Sequence, residues 1–278
     1  MSRARFFAGA TGTPAAPLGG TWQTVVLEDF IGAPAPIAMN ANGPWVLASG
    51  ATWQKENTGA ELAPPTVTPG TGLVLSPANQ AYPGTRNGGL IGLRLADLGI
   101  AFSRRVAFRM SMIRGGIPSW NAGALFLFAG LEVCPPNDVL QRENRHITWN
   151  KTGAGLWNQT QMWGTRNNAA AFSVLPLTAG LTAFDCARIT YADGPSPLGC
   201  VWEMAQSVAG NFPPESAWQV WATDGYLGDS AFSPSIPNFW VRGGNNAWGV
   251  ILTAYSGDIG GLQQVVVTRL KLELVFPW

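Results

Sequence analysis

The stretch from Gln264 to Phe276, Gln-Val-Val-Val-Thr-Arg-Leu-Lys-Leu-Glu-Leu-Val-Phe, constrains this chain more than any other. Val266, Thr268, Leu270, Leu272, Leu274 and Phe276 share one parity, while Arg269, Lys271 and Glu273 share the other. A period of two marks a strand with one buried face, because successive side chains leave opposite sides of the pleat. At roughly 3.4 Å per residue the stretch spans about 40 Å, enough to cross a whole sandwich. The rest of the fold must therefore supply a sheet wide enough to flank it.

Composition agrees with a many-stranded fold. The 34 Gly and 21 Pro among 278 residues disfavour helix interiors and supply turns. Charged residues make up 12% of the chain and hydrophobic residues 46%, with 13 Trp and 13 Phe. That is too little charge to coat an isolated monomer, so a symmetric homo-oligomer is expected. A formal charge of +1 gives no global field for nucleic acid or a membrane surface. No apolar run reaches the roughly 18 residues of a membrane span. Met1 to Ala10 is basic at Arg3 and Arg5 but lacks the apolar stretch of a signal peptide, so the chain is expected to be made in a cytoplasm. Cys134, Cys186 and Cys200 form no Cys-x-x-Cys pair and read as free, buried thiols, with a Cys186 to Cys200 bridge as the alternative.

Along the chain, residues 1–20 show no periodicity and read as an extended arm or a tail. Arg3, Arg5, Phe6 and Phe7 would anchor such an arm on a neighbouring subunit. Residues 21–278 are expected to form a single large domain. Trp22 to Phe30 is the first strand, and 31–69 reads as short strands and long loops. Leu73 to Leu75, Leu90 to Leu95 and Arg105 to Ile113 follow, and Ala124 to Val133, apolar on both faces until Glu132, reads as a central strand. Val139 to Arg145 is the best candidate for a helix, capped by Asn137 or Asp138. Val201 to Val208, Trp218 to Ala222, Phe239 to Arg242 and Trp248 to Tyr255 complete the strands. Ile113-Arg114-Gly115-Gly116 before Trp120 is echoed by Val241-Arg242-Gly243-Gly244 before Trp248, which reads as two glycine turns each covered by a Trp.

Few residues point to catalysis. His146 is the only histidine and sits beside Arg142, Glu143 and Arg145, a setting that suits a surface better than an active site. No nucleophile elbow, zinc helix, phosphate loop or dinucleotide fingerprint is present, and each of those motifs is local for mechanical reasons. Glu132 and Glu203 interrupt apolar strands and are the best carboxylates for glycoside hydrolysis, but neither has a second acid two or four positions away. Asp224, Asp229 and Asp258 lie in glycine-containing loops, where turn chemistry explains them better than calcium does. No catalytic residue, metal or cofactor is expected. The loops expected from Trp149 to Asn168, with Trp149, Asn150, Trp157, Asn158, Trp163 and Arg166, are different. Flat rings for stacking and amides for hydroxyl groups suit either a glycan or a protein interface.

The opening Leu27-Glu28-Asp29-Phe30, the pair Arg105 to Ile113 and Ala124 to Val133, and the closing Val265 to Phe276 resemble the strand succession of concanavalin-A-like and jelly-roll sandwiches. The resemblance implies an all-β, antiparallel β-sandwich of the kind found in lectins, carbohydrate-binding modules and accessory proteins of tailed-phage particles. The alternating acid-rich strand of the sandwich-fold glucanases is missing, so an enzyme is not expected. The scarce charge and the low-complexity arm resemble phage virion proteins. A structural or accessory protein on the capsid or tail of a bacteriophage is thus expected. Its partners would be other copies of itself, other virion proteins and a host glycan. The alternatives are a carbohydrate-binding, receptor-binding module and, after it, a polysaccharide-degrading enzyme.

Overall fold

The computed structural model describes residues 21–57, 61–77, 89–94, 96–99, 107–115, 123–130, 144–151, 159–166, 169–175, 184–191, 200–224, 248–255 and 264–275. These residues form seventeen strands: β1 Gln23–Asp29, β2 Ile37–Ala38, β3 Gly43–Val46, β4 Thr52–Asn57, β5 Glu61–Thr68, β6 Gly72–Pro77, β7 Gly89–Arg94, β8 Ala107–Arg114, β9 Gly123–Gly130, β10 Asn144–Lys151, β11 Gln159–Arg166, β12 Ala169–Leu175, β13 Cys186–Tyr191, β14 Cys200–Ala205, β15 Gln219–Asp224, β16 Trp248–Tyr255 and β17 Val265–Val275. Two short 3-10 turns, Ala96–Leu98 and Glu215–Ala217, are the only helical elements among the described residues.

The strands make two antiparallel sheets. The first runs β15-β14-β13-β8-β17-β6-β5-β2, with β1 also on β17, and the second runs β12-β11-β10-β9-β16-β7-β4-β3. The protein is therefore the all-β sandwich that the closing strand demands. β17 lies centrally in the first sheet. Along one side it pairs with β8; along the other, Val265 to Val267 meet β6 and Arg269 to Leu274 meet β1. The ladder with β8 shifts register between Val267 and Arg269. Thr268 sits at this bulge, its hydroxyl donating to the Ile113 carbonyl at 3.2 Å and its carbonyl accepting from Phe30 N–H at 3.0 Å. One long strand can thus serve two shorter partners end to end.

The core lies between the sheets. Leu270, Leu272 and Leu274 of β17, Met110 and Met112 of β8, and Ala187 and Ile189 of β13 are all fully buried. From the second sheet come Trp53 and Leu93, equally buried. Each such aliphatic side chain contributes about 1.5–3 kcal/mol of burial. The Trp53 indole N–H donates to Glu28 of β1 at 2.9 Å, which ties the sheets together and satisfies a buried carboxylate that also accepts from Ser49. Phe30 meets the Trp53 ring edge-on, with centroids 6.1 Å apart.

Close backbone approaches explain two glycines. A Cβ on Gly72, whose φ is +120°, would lie 2.6 Å from the Val267 carbonyl oxygen. One on Gly115 would lie 2.7 Å from a Val266 methyl, and the Gly115 N–H donates to the Val266 carbonyl at 2.8 Å. The first copy of the Arg-Gly-Gly echo is therefore a docking point against β17. Trp120 and the second copy up to Gly244 lie outside the described residues, as do the arm over 1–20, Phe239 to Arg242, Glu132 and Cys134.

Three expectations need correction. Asn144 and Arg145 open β10, so the helix expected over Val139 to Arg145 does not include its last two residues, residues 139–143 lie outside the described residues, and His146 is a strand residue. The Trp-rich stretch expected to form loops instead contains β10 and β11, since alternating Thr, Gln and aromatic residues suit a pleated surface. Cys186 is free and pairs in register with Ala205, while Cys200 lies opposite Tyr191 at the other end of the β13–β14 hairpin, so the alternative disulfide is ruled out.

Candidate functional site

Each sheet has one face toward the core and one away from it, and the two far faces differ in chemistry. Across the far face of the first sheet, register sets Glu203, Arg188, Ser111, Lys271 and Leu27 side by side on β14, β13, β8, β17 and β1. Residues 206–218, the connection from β14 to β15, fold back over this row. Arg188 and Glu203 are fully buried and joined by two bonds of 2.7 Å, the bidentate geometry that gives strong charge-assisted pairing. Arg109 reaches Glu273 at 2.6 Å, and Glu215 accepts from Arg109 at 3.0 Å and from Arg188 at 2.8 Å. Lys271 lies 3.3 Å from Glu273. Three cations and three carboxylates thus neutralise one another.

Aromatic rings close this network from above. Trp218 covers Arg188 at 4.3 Å, Trp22 covers Arg109 at 4.7 Å and Phe212 covers Lys271 at 5.3 Å. Burial works against the charge on Arg188, but Glu203 and Glu215 outweigh it and hold its pKa above the usual value. Burial likewise pushes Glu215 up, and the charges of Arg188, Arg109 and Lys271, with the Arg188 hydrogen bond, pull it below the usual carboxylate range. Cys186 packs beneath Trp218 with Ile113 and Ala205, and burial together with neighbouring Asp185 pushes its thiol well above the usual range. This is an inert thiol in a sealed layer.

Glu203, the acid once weighed for glycoside hydrolysis, is consumed by this network. Both its oxygens accept from Arg188, and the residue has no exposed surface. A general acid needs a path to substrate, and this carboxylate has both oxygens bonded to a guanidinium under a covering segment.

The far face of the second sheet is built from other residues. Trp53 marks the core side of that sheet, and register continues this side through Leu93, Val250, Leu252, Leu127, Ile147 and Met162. The positions between them belong to the opposite side. There, Ile251, Phe128, His146, Trp163 and Phe172 stand directly opposite one another on β16, β9, β10, β11 and β12. Two residues along lies a second row, Thr253, Phe126, Thr148, Gln161 and Val174. A third row follows with Tyr255, Ala124, Asn150 and Gln159. A line of ring-bearing positions on four neighbouring strands therefore lies beside rows that mix Thr, Gln and Asn positions with Phe126, Val174, Ala124 and Tyr255. None of the positions in these three rows is Asp, Glu, Lys or Arg.

The same register sorts the residues that the sequence singled out. Asn150 and Trp163 share the far face with His146, whereas Trp149 and Arg166 fall on the core side. Trp149 and Trp163 thus do not form one stacking site. Trp157 and Asn158 lie outside the described residues, as do Arg3, Arg5, Phe6 and Phe7. Sequence reasoning missed Phe126, Phe128 and Phe172, because in a strand apolar on both faces nothing marks which parity is core. It also missed Arg188, although an Arg and a Glu inside two apolar strands, Cys186–Tyr191 and Cys200–Ala205, demand partners. Asp224 closes β15, and Asp229 and Asp258 lie outside the described residues.

No family model and no curated protein matches this chain. Among solved structures, the chain is similar to the CBM2 module of the evolved Dit of Lactobacillus casei BL23 phage J-1, at 11% identity, with 92% of this chain and 97% of that one covered and a TM-score of 0.48. It is also similar to SCLam, a non-specific endo-β-1,3(4)-glucanase of family GH16, at 13% identity, 91% coverage of both chains and a TM-score of 0.40. Lectin I of Ulex europaeus, solved with the methyl glycoside of α-L-fucose, follows at 10% identity, 88% and 93% coverage and a TM-score of 0.38.

Proposed function

We propose that this chain is a carbohydrate-binding β-sandwich module that binds without cleaving. One observation carries the reading: ring positions Phe128, His146, Trp163 and Phe172 run across four strands beside Thr148, Gln161, Asn150 and Gln159. Sugar rings offer flat apolar faces to aromatic side chains and equatorial hydroxyls to amides, so both halves of this surface have a counterpart in a glycan. The test is electrophoresis of the native chain in gels cast with a panel of neutral and anionic polysaccharides. Retardation that Trp163→Ala removes without lowering the melting temperature supports the reading. Free migration in every gel overturns it.

A second reading, an accessory virion protein of a tailed phage that assembles as a symmetric oligomer, draws on β1. Val25 and Leu27 are exposed there at 39% and 52%, and among the described residues β1 pairs with β17 alone. An open strand edge bearing apolar side chains suits contact with another copy. Light scattering over a range of concentrations decides it. A stable oligomer supports assembly, and the mass of a single 29.5 kDa chain at all concentrations removes it. A receptor-binding module of a virion would satisfy both readings together.

A further inference from the structure

From the first sheet we infer a second binding site: Arg109 and Arg188 form a cradle for a small free carboxylate, and the chain's own Glu215 occupies it as a displaceable latch. This site is independent of the carbohydrate-binding reading, which uses the other sheet.

Two neighbouring strands build the cradle. Each arginine gives one edge to a strand acid. Arg188 bonds Glu203 through Nε and Nη2, both at 2.7 Å, and Arg109 bonds Glu273 through the same two atoms at 2.6 and 3.0 Å. The remaining edges converge on Glu215. Arg188 Nη1 donates to its Oε2 at 2.8 Å, while Arg109 donates to Oε2 from Nη1 at 3.3 Å and to Oε1 from Nη2 at 3.0 Å. Both oxygens of one carboxylate are thus held by two planar guanidinium groups, a geometry that recognises carboxylates as a class. Trp218 and Trp22 cover the guanidinium faces and hold them in place.

Glu215 is held differently from the other two acids. Glu203 and Glu273 are buried on strands, whereas the Glu215 side chain is 47% exposed and belongs to the covering segment. Pro214, Glu215, Ser216 and Ala217 are all exposed, between the buried Pro213 and Trp218. A turn with no buried residue opens more readily than a strand, so of the three carboxylates Glu215 is the one that can leave. Charge decides what replaces it. Three cations and three carboxylates balance, so a fourth anion is disfavoured while Glu215 stays, and a monocarboxylate that takes its place keeps the balance. Donors are in surplus as well. The Ser111 hydroxyl, between Arg188 and Lys271 in register, and the Trp22 indole N–H are buried without a hydrogen-bond partner among the described residues. Both can donate to an incoming acid. The opening is four residues long between two buried anchors, which admits a small acid and excludes a polymer.

The experiment is titration calorimetry of the full chain and of its Glu215→Ala variant with sodium acetate at neutral pH, the ionic strength held constant with chloride. The variant, whose cradle is empty, should bind one acetate per chain at least roughly tenfold more tightly than the native chain, where the tethered carboxylate competes at high effective concentration. A second measurement needs no variant. In the native chain the Ala217 and Trp218 amides bond to Pro214 and Glu215 within the latch turn, and concentrated acetate should speed their hydrogen exchange where chloride does not. A variant that ignores acetate, equal affinity in both chains, or exchange that responds to acetate and chloride alike would overturn the inference. So would a galacturonate oligomer that the variant binds more tightly than acetate. None of these results would touch carbohydrate binding on the second sheet, which the gels test separately.

Discussion

The two far faces of this sandwich solve opposite problems. On the first sheet the chain spends much of its scarce charge, placing Arg109, Arg188, Lys271, Glu203, Glu215 and Glu273 together and then covering them with its own residues 206–218. On the second sheet the register leaves rows of rings, amides and hydroxyls with no ionic residue among them. The charged groups of the first face pair with one another, while the Ser111 hydroxyl and the Trp22 indole N–H stay buried without a hydrogen-bond partner among the described residues. The second has bonding capacity with no ionic partner built in. The contrast teaches that the strand charges of the first sheet are tied up in structure, and under the proposed function it is the uncharged rows of the second sheet that bind.

The sharpest way to break that contrast is to remove one half of the buried pair. Glu203→Ala should cost about 3–5 kcal/mol, because Arg188 is left buried without its bidentate partner. Chemical denaturation would measure it, and a loss near zero would mean that the network is not structural. Trp149 and Trp163 provide the matching test on the second sheet. Register puts the two on opposite faces of that sheet, so Trp149→Ala and Trp163→Ala should lower stability by different amounts. Equal losses at both would contradict the assignment of faces.

A smaller effect is expected at Gly72, where alanine meets both an unfavourable φ of +120° and the Val267 carbonyl. The cost should be about 1–3 kcal/mol, visible as a lower melting temperature with glycan binding unchanged. Smallest is the acid response of Glu215. Its carboxyl is held below the usual value of 4.5 in the folded state, so its contribution is present at neutral pH and is lost as pH falls through and below that value. Glu215 is half exposed, so solvent screens the contribution. Glu215→Gln should flatten the acid side of the stability profile without moving the melting temperature difference above pH 6; an unchanged acid limb would remove Glu215 from the account.

Much of the fold was legible because it is written in local parity. The alternation in β17 locates the core side at Leu270, Leu272 and Leu274, and the structure buries all three. What parity left open was the fate of Arg269, Lys271 and Glu273, which read as a solvated face. Their partners come from far along the chain: Arg109 meets Glu273, and Asn211 and Asp29 meet Arg269. Only the strand order brings those residues to β17. The candidate site shows the same limit. Trp149 and Trp163 carry the same side chain in similar surroundings, and register alone puts them on opposite sides of one sheet. Register across β10 and β11 depends on the connection at 152–158, whose sequence of Thr, Gly, Ala, Leu, Trp and Asn specifies no turn type.

Hydroxyl-radical footprinting of the native chain, free and saturated with the polysaccharide that retards it most, tests the central claim directly. The account predicts slowed oxidation at Phe128, Trp163 and Phe172, with Phe212 and Trp218 over the first sheet unchanged. Protection confined to Phe212 and Trp218, or to neither face, would contradict it.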